Sequence, residues 1–230
     1  MAKKAFIGVG HGGSDPGAVA NGFNEKDLNL AIALACRDEL ARHGVEVKMS
    51  RSKDENDPLT DEIKECNAFK PDVALDIHNN AGGGDGAEVY YHYKGGISKT
   101  LASNILAEIV SAGQNSRGIK TKLNAQGKDY FGFIRETSAP AVIVECAFVD
   151  NKTDIQIIDT AAEQKAMGIA IAKGVLNEDD YLLQEILFNP RTPAQVEGIR
   201  TELNELLDII SKKDSEGMRK YLTKIRQKIK

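Results

Sequence analysis

Cysteine is scarce in this chain of 230 residues, and the three that occur stand far apart. Cys36, Cys66 and Cys146 form no C-x-x-C pair, which excludes a cysteine zinc finger and a disulfide framework as organising features. We expect all three to be reduced thiols packed in the core.

The chain also lacks an excess of basic residues and a long apolar run. Its 30 Lys and Arg against 34 Asp and Glu give a net charge of −4, which argues against nucleic acid as the main partner. The apolar run that follows Lys4 is too short for the core of a signal peptide or for a membrane span. We therefore expect a protein without signal peptide or membrane span, made in the cytoplasm.

Short apolar strands alternate with helical patterns over residues 1–177. The strands include residues 4–8, 73–78 and 141–144, which are apolar enough to be buried on both faces. The helical patterns cover residues 25–43, 59–69, 97–109, 151–159 and 161–176. This order predicts an α/β domain with a mostly parallel sheet covered by helices on both faces. Residues 116–132 are polar, and we expect them to be irregular.

The composition changes beyond residue 177, and we interpret residues 178–230 as a separate helical appendage. Residues 178–192 read as a linker, and a capping box at Thr192 and Gln195 starts a helix over about 193–211. A second helix is predicted over about 215–229, which makes a small helical hairpin or coiled-coil element. Six basic and no acidic residues follow Gly217, so this face is either solvated, a subunit contact or attracted to an anionic polymer.

The stretch most unlike ordinary helix or strand is the glycine-rich loop that follows the first strand. A G-x-G-x-x-G pattern begins at Gly8, and Arg51 follows the second strand, where a partner for an NADP 2′-phosphate would lie. That fingerprint needs a helix whose N-terminus meets the pyrophosphate. Turn-forming residues between 15 and 22 delay the first helix until Asn24, so the pyrophosphate would have no helix N-terminus to bind.

A metal site uses more of the sequence. His11 and His78 each lie where an apolar strand opens into a glycine-rich loop, and neighbouring parallel strands would place both imidazoles at one edge of the sheet. Glu25 begins the first helix, and the loop before it can fold back to bring its carboxylate to the same point. Two His and one Glu are a common ligand set of catalytic zinc. Asp76, two residues before His78, is a candidate to orient that imidazole.

Glu145 follows a strongly apolar strand, where a carboxylate is costly unless it has a partner. At the same sheet edge it could take a proton from a metal-activated water and pass it to a leaving nitrogen. Strand alternation turns Cys146 to the opposite face, which argues against a cysteine nucleophile. We interpret His43 and His92 as structural residues.

Four motifs of the chain resemble those of the zinc-dependent N-acetylmuramoyl-L-alanine amidases of bacterial autolysins and phage endolysins. The resemblance spans about residues 4–176 and rests on G-H-G-G-S-D-P-G-A at 10–18, N-E-K at 24–26, I-H-N-N-A at 77–81, and P-A-V-I-V-E at 140–145 with Phe148 and Asn151. Arg51-Ser52 and Arg117-Gly118-Ile119 also fall in the order of the family. It implies a twisted, mostly parallel sheet flanked by helices. It also implies hydrolysis of the amide between the lactyl group of muramic acid and L-alanine in peptidoglycan.

By motif, the zinc ligands of the family fall on His11, Glu25 and His78, and its catalytic glutamate falls on Glu145, with one Zn²⁺ as the cofactor. Three positions depart from the family pattern. Gly8-Val9 replaces the usual Asp-Pro, Asp76 replaces a frequent Ser, and residues 59–67 lack the arginine that is common there.

We therefore expect a lytic amidase whose partner is bacterial peptidoglycan and that acts on the cell wall. The absence of a readable signal peptide favours an endolysin made in the host cytoplasm. The C-terminal helices are expected to mediate self-association or contact with an anionic wall polymer. A non-catalytic zinc-containing wall-binding protein is the alternative, followed by an NADP-dependent oxidoreductase.

Overall fold

Strands and helices alternate through residues 4–176, the part of the chain that the computed structural model describes. The strands are β1 (Lys4–Val9), β2 (Val19–Ala20), β3 (Phe23–Asn24), β4 (Glu46–Met49), β5 (Val73–Asn80), β6 (Ala87–Tyr91), β7 (Ser116–Lys120) and β8 (Ala141–Phe148). The helices are α1 (Glu25–Arg42), α2 (Leu59–Phe69), α3 (Ile97–Ser111), α4 (Gly132–Glu136) and α5 (Ala161–Leu176), with one 3₁₀ turn at Asp154–Ile157. The predicted linker and helices of residues 178–230 lie outside the described residues and stay a prediction.

Six strands form one sheet in the order β4-β1-β5-β8-β6-β7. All neighbouring strands are parallel except β6 and β8, which run antiparallel. The predicted α/β fold with a mostly parallel sheet is therefore confirmed. The central strands β5 and β8 are almost wholly buried because they have neighbours on both sides and helices on both faces.

The two faces of the sheet carry different amounts of apolar packing. Helices α1, α3 and α5 cover one face and bury the larger core with it. Helices α2 and α4 cover part of the other face, where a smaller cluster forms around Phe6 and Phe133. Asp76 and His78 of β5, Glu88 of β6 and Glu145 of β8 share this second face, and its thin cover leaves room for a cleft.

Helix α5 packs backbone to backbone against α1. A Cβ atom at Gly168 would collide with the carbonyl oxygen of Ile32, so no larger residue fits without a shift of the helices. This close approach anchors the last described helix to the first.

Three of the predicted segments differ in the structure. Strand β8 continues to Phe148, so Glu145 lies within the strand. Its neighbours across the sheet are also polar: His78 on β5 and Glu88 on β6. Residues 116–120 form the edge strand β7, which is polar because it is only half covered. The predicted helix over 151–159 is a single 3₁₀ turn, which begins where Asn151 Oδ1 accepts the N–H groups of Thr153 and Asp154.

The expectation about the cysteines holds in the described residues. All three cysteines are buried free thiols, and Cys146 packs in the larger core on the face opposite to Glu145. None of the described helices is both long enough and apolar enough to cross a membrane.

Candidate metal centre

His11, Glu25 and His78 meet at one point beside the carboxyl ends of β1 and β5. The two strands are parallel neighbours with Val9 opposite Ile77, so the residues that follow β1 lie next to His78. The three side chains each offer a ligand atom, and these atoms lie within 4.8 Å of one another. The structure thus brings together the three residues predicted from the sequence; their role as metal ligands stays a prediction.

The carboxylate of Glu25 lies between the two imidazoles. Its Oε2 is 3.2 Å from His11 Nε2, and its Oε1 is 3.1 Å from His78 Nδ1. The two rings stand nearly perpendicular, with centroids 5.2 Å apart. The nitrogens that point at Glu25 are therefore the ones available to an ion.

The second nitrogen of each imidazole faces a carboxylate. His11 Nδ1 lies 2.8 Å from Asp15 Oδ2, and His78 Nε2 lies 3.1 Å from Asp76 Oδ2. This carboxylate–histidine arrangement is typical of metal-ligating histidines, because it fixes the tautomer and makes the free nitrogen a better donor. The donor set fits a zinc ion on these grounds. Asp76 was a candidate from the sequence, whereas Asp15 was missed although it lies in the first motif.

Hydrogen bonds and burial set the charges of the three residues. Burial opposes ionisation of Glu25, yet hydrogen bonds with His11 and His78 hold its pKa well below the usual range. The hydrogen bond with Glu25 raises the pKa of His11. Burial alone would lower the pKa of His78, but the charge of Asp76 and the hydrogen bonds with Asp76 and Glu25 raise it well above the ordinary value. The site thus favours a cation between its side chains.

The loop that carries His11 is held in a constrained conformation. His11 has φ +64°, in the left-handed region that non-glycine residues rarely adopt. Arg51 braces the loop by donating to the carbonyl oxygens of Val9, Gly10 and Lys26. This role of Arg51 was not predicted from the sequence.

Glu145 lies directly opposite His78 on the neighbouring strand β8. It lines a cleft of about 680 Å³ together with His11, His78 and Phe131. Burial raises the pKa of Glu145 to about 7. Its Oε2 atom is buried and has no hydrogen-bond partner among the described residues, so a carboxylate oxygen beside the imidazoles is left for another group.

The three departures from the family pattern lie together in space. A Cβ atom at Gly8 would collide with Glu62 Oε1 and would lie 2.9 Å from Asp76 Oδ1. Glu62 belongs to the segment that lacks the arginine, and burial together with the charge of Asp76 raises its pKa well above the ordinary value. The small residue at position 8 and the two acids are therefore one local arrangement, adjacent to His78.

The dinucleotide hypothesis does not fit the loop geometry. Helix α1 begins only at Glu25, far along the chain from the glycines that follow β1. The Arg51 side chain is 2% exposed and bound to backbone carbonyls, so it does not face a phosphate. His43 and His92 also lie outside the metal cluster: His43 Nδ1 lies 2.9 Å from the Glu39 carbonyl oxygen, and His92 Nε2 pairs with Asp129.

Comparison with known proteins identifies the family of the chain. The sequence model of the N-acetylmuramoyl-L-alanine amidase family matches residues 6–177. A sporulation-specific N-acetylmuramoyl-L-alanine amidase of Bacillus subtilis is 38% identical over 205 residues, which are 87% of this chain and 77% of that protein. An endolysin of Bacillus phage SPP1 is 34% identical over 180 residues, which are 74% of this chain and 66% of that protein.

Solved structures show the same fold. The catalytic domain of CwlV, an N-acetylmuramoyl-L-alanine amidase from Bacillus (Paenibacillus) polymyxa var. colistinus, superposes with a TM-score of 0.70 at 31% identity, over 78% of this chain and 99% of that one. Cwp6 from Clostridium difficile gives a TM-score of 0.75 at 41% identity. That match covers 78% of this chain and 29% of Cwp6.

Proposed function

The chain belongs to the N-acetylmuramoyl-L-alanine amidase family of hydrolases, and we propose that it cleaves peptidoglycan with one zinc ion held by His11, Glu25 and His78. The bond concerned joins the lactyl carbonyl of N-acetylmuramic acid to the amino group of L-alanine. The observation that carries the proposal is the convergence of two imidazoles and a carboxylate, with the outer nitrogen of each imidazole facing a further carboxylate.

The metal and the protein have separate tasks in this proposal. A zinc ion at this site would supply Lewis acidity and lower the pKa of water toward neutrality. Asp15 and Asp76 fix the orientation of His11 and His78, so that the nitrogens beside Glu25 stay directed at one point. The constrained loop keeps His11 in place before substrate arrives.

Glu145 moves the proton. As the carboxylate it accepts a proton from the attacking water, whose oxygen forms the new bond to the lactyl carbon. The same proton then goes to the departing nitrogen of L-alanine as the C–N bond breaks, which leaves a carboxylic acid and an amine. A pKa of about 7 suits both steps near neutral pH, because the group takes up and releases a proton readily there.

A direct test replaces the proton carrier. Glu145→Gln keeps the shape but cannot accept a proton, so we expect release of stem peptides from purified cell walls to fall about 10²–10⁴-fold. Mass spectrometry of the soluble products should show peptides with a new amino-terminal alanine for the unaltered protein. Zinc content, measured by elemental analysis, should stay at one per chain in the variant.

The matched control is Glu46→Gln, since Glu46 is an exposed acid at the start of β4, away from the cleft. Its peptide release should equal that of the unaltered protein. Undiminished release by Glu145→Gln would eliminate the proposed role of Glu145, and wall binding without any release would favour the non-catalytic alternative. An origin as a phage endolysin stays a prediction, since the relatives include both phage and bacterial proteins.

A further inference from the structure

A row of charged residues runs across the sheet away from the metal centre. His78 on β5 lies opposite Glu145 on β8, and Glu145 lies opposite Glu88 on β6. Residues paired in this way share one face of the sheet. The row therefore leads from the candidate ligands, through the proposed proton carrier, toward the edge strand β7.

A bulge in β7 directs two cations to this row. Ala87 pairs with Ser116 and Val89 pairs with Ile119, so Glu88 alone faces two residues, Arg117 and Gly118. Gly118 has φ +85°, which a residue with a side chain rarely adopts. In a regular strand, residues three apart point to opposite faces. The extra residue corrects the alternation, and both Arg117 and Lys120 reach Glu88.

Arg117 is held firmly but uses only part of its guanidinium group. Its Nε donates to Glu88 Oε2 at 2.7 Å, and its planar group lies over the Phe148 ring at 4.8 Å. No other hydrogen bond joins it to a residue of the described chain, so both Nη groups keep their donors. A stacked and anchored guanidinium presents a fixed fork that matches a carboxylate.

The charges of Arg117, Lys120 and Glu88 do not balance. Arg117 and Lys120 carry two positive charges, and both contact the single carboxylate of Glu88. Asn80 and Tyr90 also donate to Glu88 Oε1, so that carboxylate is already satisfied. The side chains of Arg117 and Lys120 are 35% and 32% exposed. One positive charge is left at the surface, next to the row that contains Glu145.

From this arrangement we infer that Arg117, assisted by Lys120, binds the carboxylate of the stem peptide on the residue after L-alanine. The inference rests on the proposed function, because it places the scissile amide beside Glu145. Strands β8 and β7 are two strand spacings apart, about 10 Å. Two extended residues span about 7 Å, and the long side chain of Arg117 reaches back over β6 to cover the rest. The γ-linked D-glutamate of the stem peptide has a free α-carboxylate at this distance.

The experiment compares two soluble substrates with the full chain. One is N-acetylmuramoyl-L-alanyl-D-isoglutamate, and the other is the same compound with that α-carboxylate converted to an amide. We expect kcat/KM to be about tenfold higher for the free acid, mainly through a lower KM, as one charge-assisted hydrogen-bonded pair would give. Arg117→Gln should abolish this preference.

Two further variants make the result specific. Lys99→Gln removes one positive charge from α3, on the opposite face of the sheet, and should keep the full preference. Arg117→Lys keeps the charge but not the planar pair of donors, so it should lose most of the preference for the free acid. This variant tests the inference if Arg117→Gln fails to fold. Equal rates of the unaltered protein on both substrates, or an unchanged preference in the Arg117 variants, would show that the two cations only neutralise Glu88.

A second carboxylate that could bind Arg117 is the lactyl carboxylate of the muramic acid product. Inhibition by N-acetylmuramic acid should be unaffected by Arg117→Gln, and its loss in that variant would overturn the assignment to the peptide. If the unaltered protein hydrolyses neither substrate, the proposed function fails. Calorimetric titration with L-alanyl-D-isoglutamate and its amide then decides separately: about tenfold tighter binding of the acid, lost in Arg117→Gln, supports the inference, and equal binding overturns it.

Discussion

His11 shows how one residue joins the sequence motif to the site. Its left-handed backbone conformation turns the side chain back toward Glu25, and glycines on either side permit the tight loop. Strained conformations of this kind persist where the surrounding structure enforces them, as the contacts of Arg51 with the loop backbone do here.

The contact between Asp76 and His78 predicts a change in metal affinity. Asp76→Asn keeps the volume but removes the charge that faces His78 Nε2, so we expect the affinity for zinc to fall about 10–100-fold. Competition with a chromogenic chelator measures this without any assay of turnover. Glu46→Gln serves as the control for loss of an exposed acid. An unchanged affinity would mean that the contact with Asp76 does not tune the ligand.

The buried carboxyl of Glu145 predicts the pH dependence. Burial raises the pKa of Glu145 to about 7, and only the ionised form can accept a proton from water. We therefore expect kcat/KM on a soluble fragment to rise about tenfold per pH unit below that pKa and to level off above it. Zinc content has to be measured at each pH, since protonation of the histidines releases metal. A rate that stays constant down to pH 5 with zinc retained would contradict the assignment.

Among individual residues, His11, Glu25, His78 and Glu145 were predicted as site residues from the sequence, because strand ends and glycine-rich loops have recognisable patterns. It did not predict Asp15 or Arg51 as supporting residues, because their roles depend on how a loop folds back. The link between Gly8, Glu62 and Asp76 was also hidden, since three distant segments meet only in the folded chain.

Some helices and strands can be predicted from their own residues, and others cannot. Continuous apolar runs predicted β1 and β5, and apolar residues at helical spacing predicted α1, α2 and α5. Strand β7 was missed because it is short, polar and half exposed, and its bulge breaks the alternation. Helix α4 has only five residues, too few to show a period.

The contact between α5 and α1 predicts the effect of Gly168→Ala, a substitution that would stabilise an isolated helix. Gly→Ala in a helix interior gains about 1 kcal/mol from propensity. At position 168 the added methyl group collides with the backbone of α1, so we expect Gly168→Ala to destabilise the fold by about 1–3 kcal/mol. Urea unfolding measures the difference. Ser103→Ala on the exposed face of α3 is the control and should be close to neutral, and a more stable Gly168→Ala would show that the helices can move apart.

On the scale of the whole molecule, stability and chemistry lie on opposite faces of the sheet. The larger apolar core under α1, α3 and α5 supports the fold, while the thinly covered face carries Glu88, Glu145 and the cations Arg117 and Lys120. The family model matches residues 6–177, and a catalytic unit that ends at residue 177 stays a prediction.

The predicted boundary can be tested by truncation. A chain that ends after Leu176 should retain its kcat/KM on soluble fragments, because every residue of the proposed site precedes that point. Binding to intact walls, or the oligomeric state in sedimentation, should change relative to the full chain. Loss of activity on soluble fragments would place part of the site beyond residue 176, and no change in either property would refute the predicted role of the C-terminal helices.

The central claim is that His11, Glu25 and His78 hold one zinc ion beside Glu145. Anomalous diffraction at the zinc edge, from crystals of the full chain, tests it most directly. We predict a single peak per chain in the gap bounded by His11 Nε2, the Glu25 carboxylate and His78 Nδ1. The absence of a peak there, or a peak among other side chains, would contradict the account.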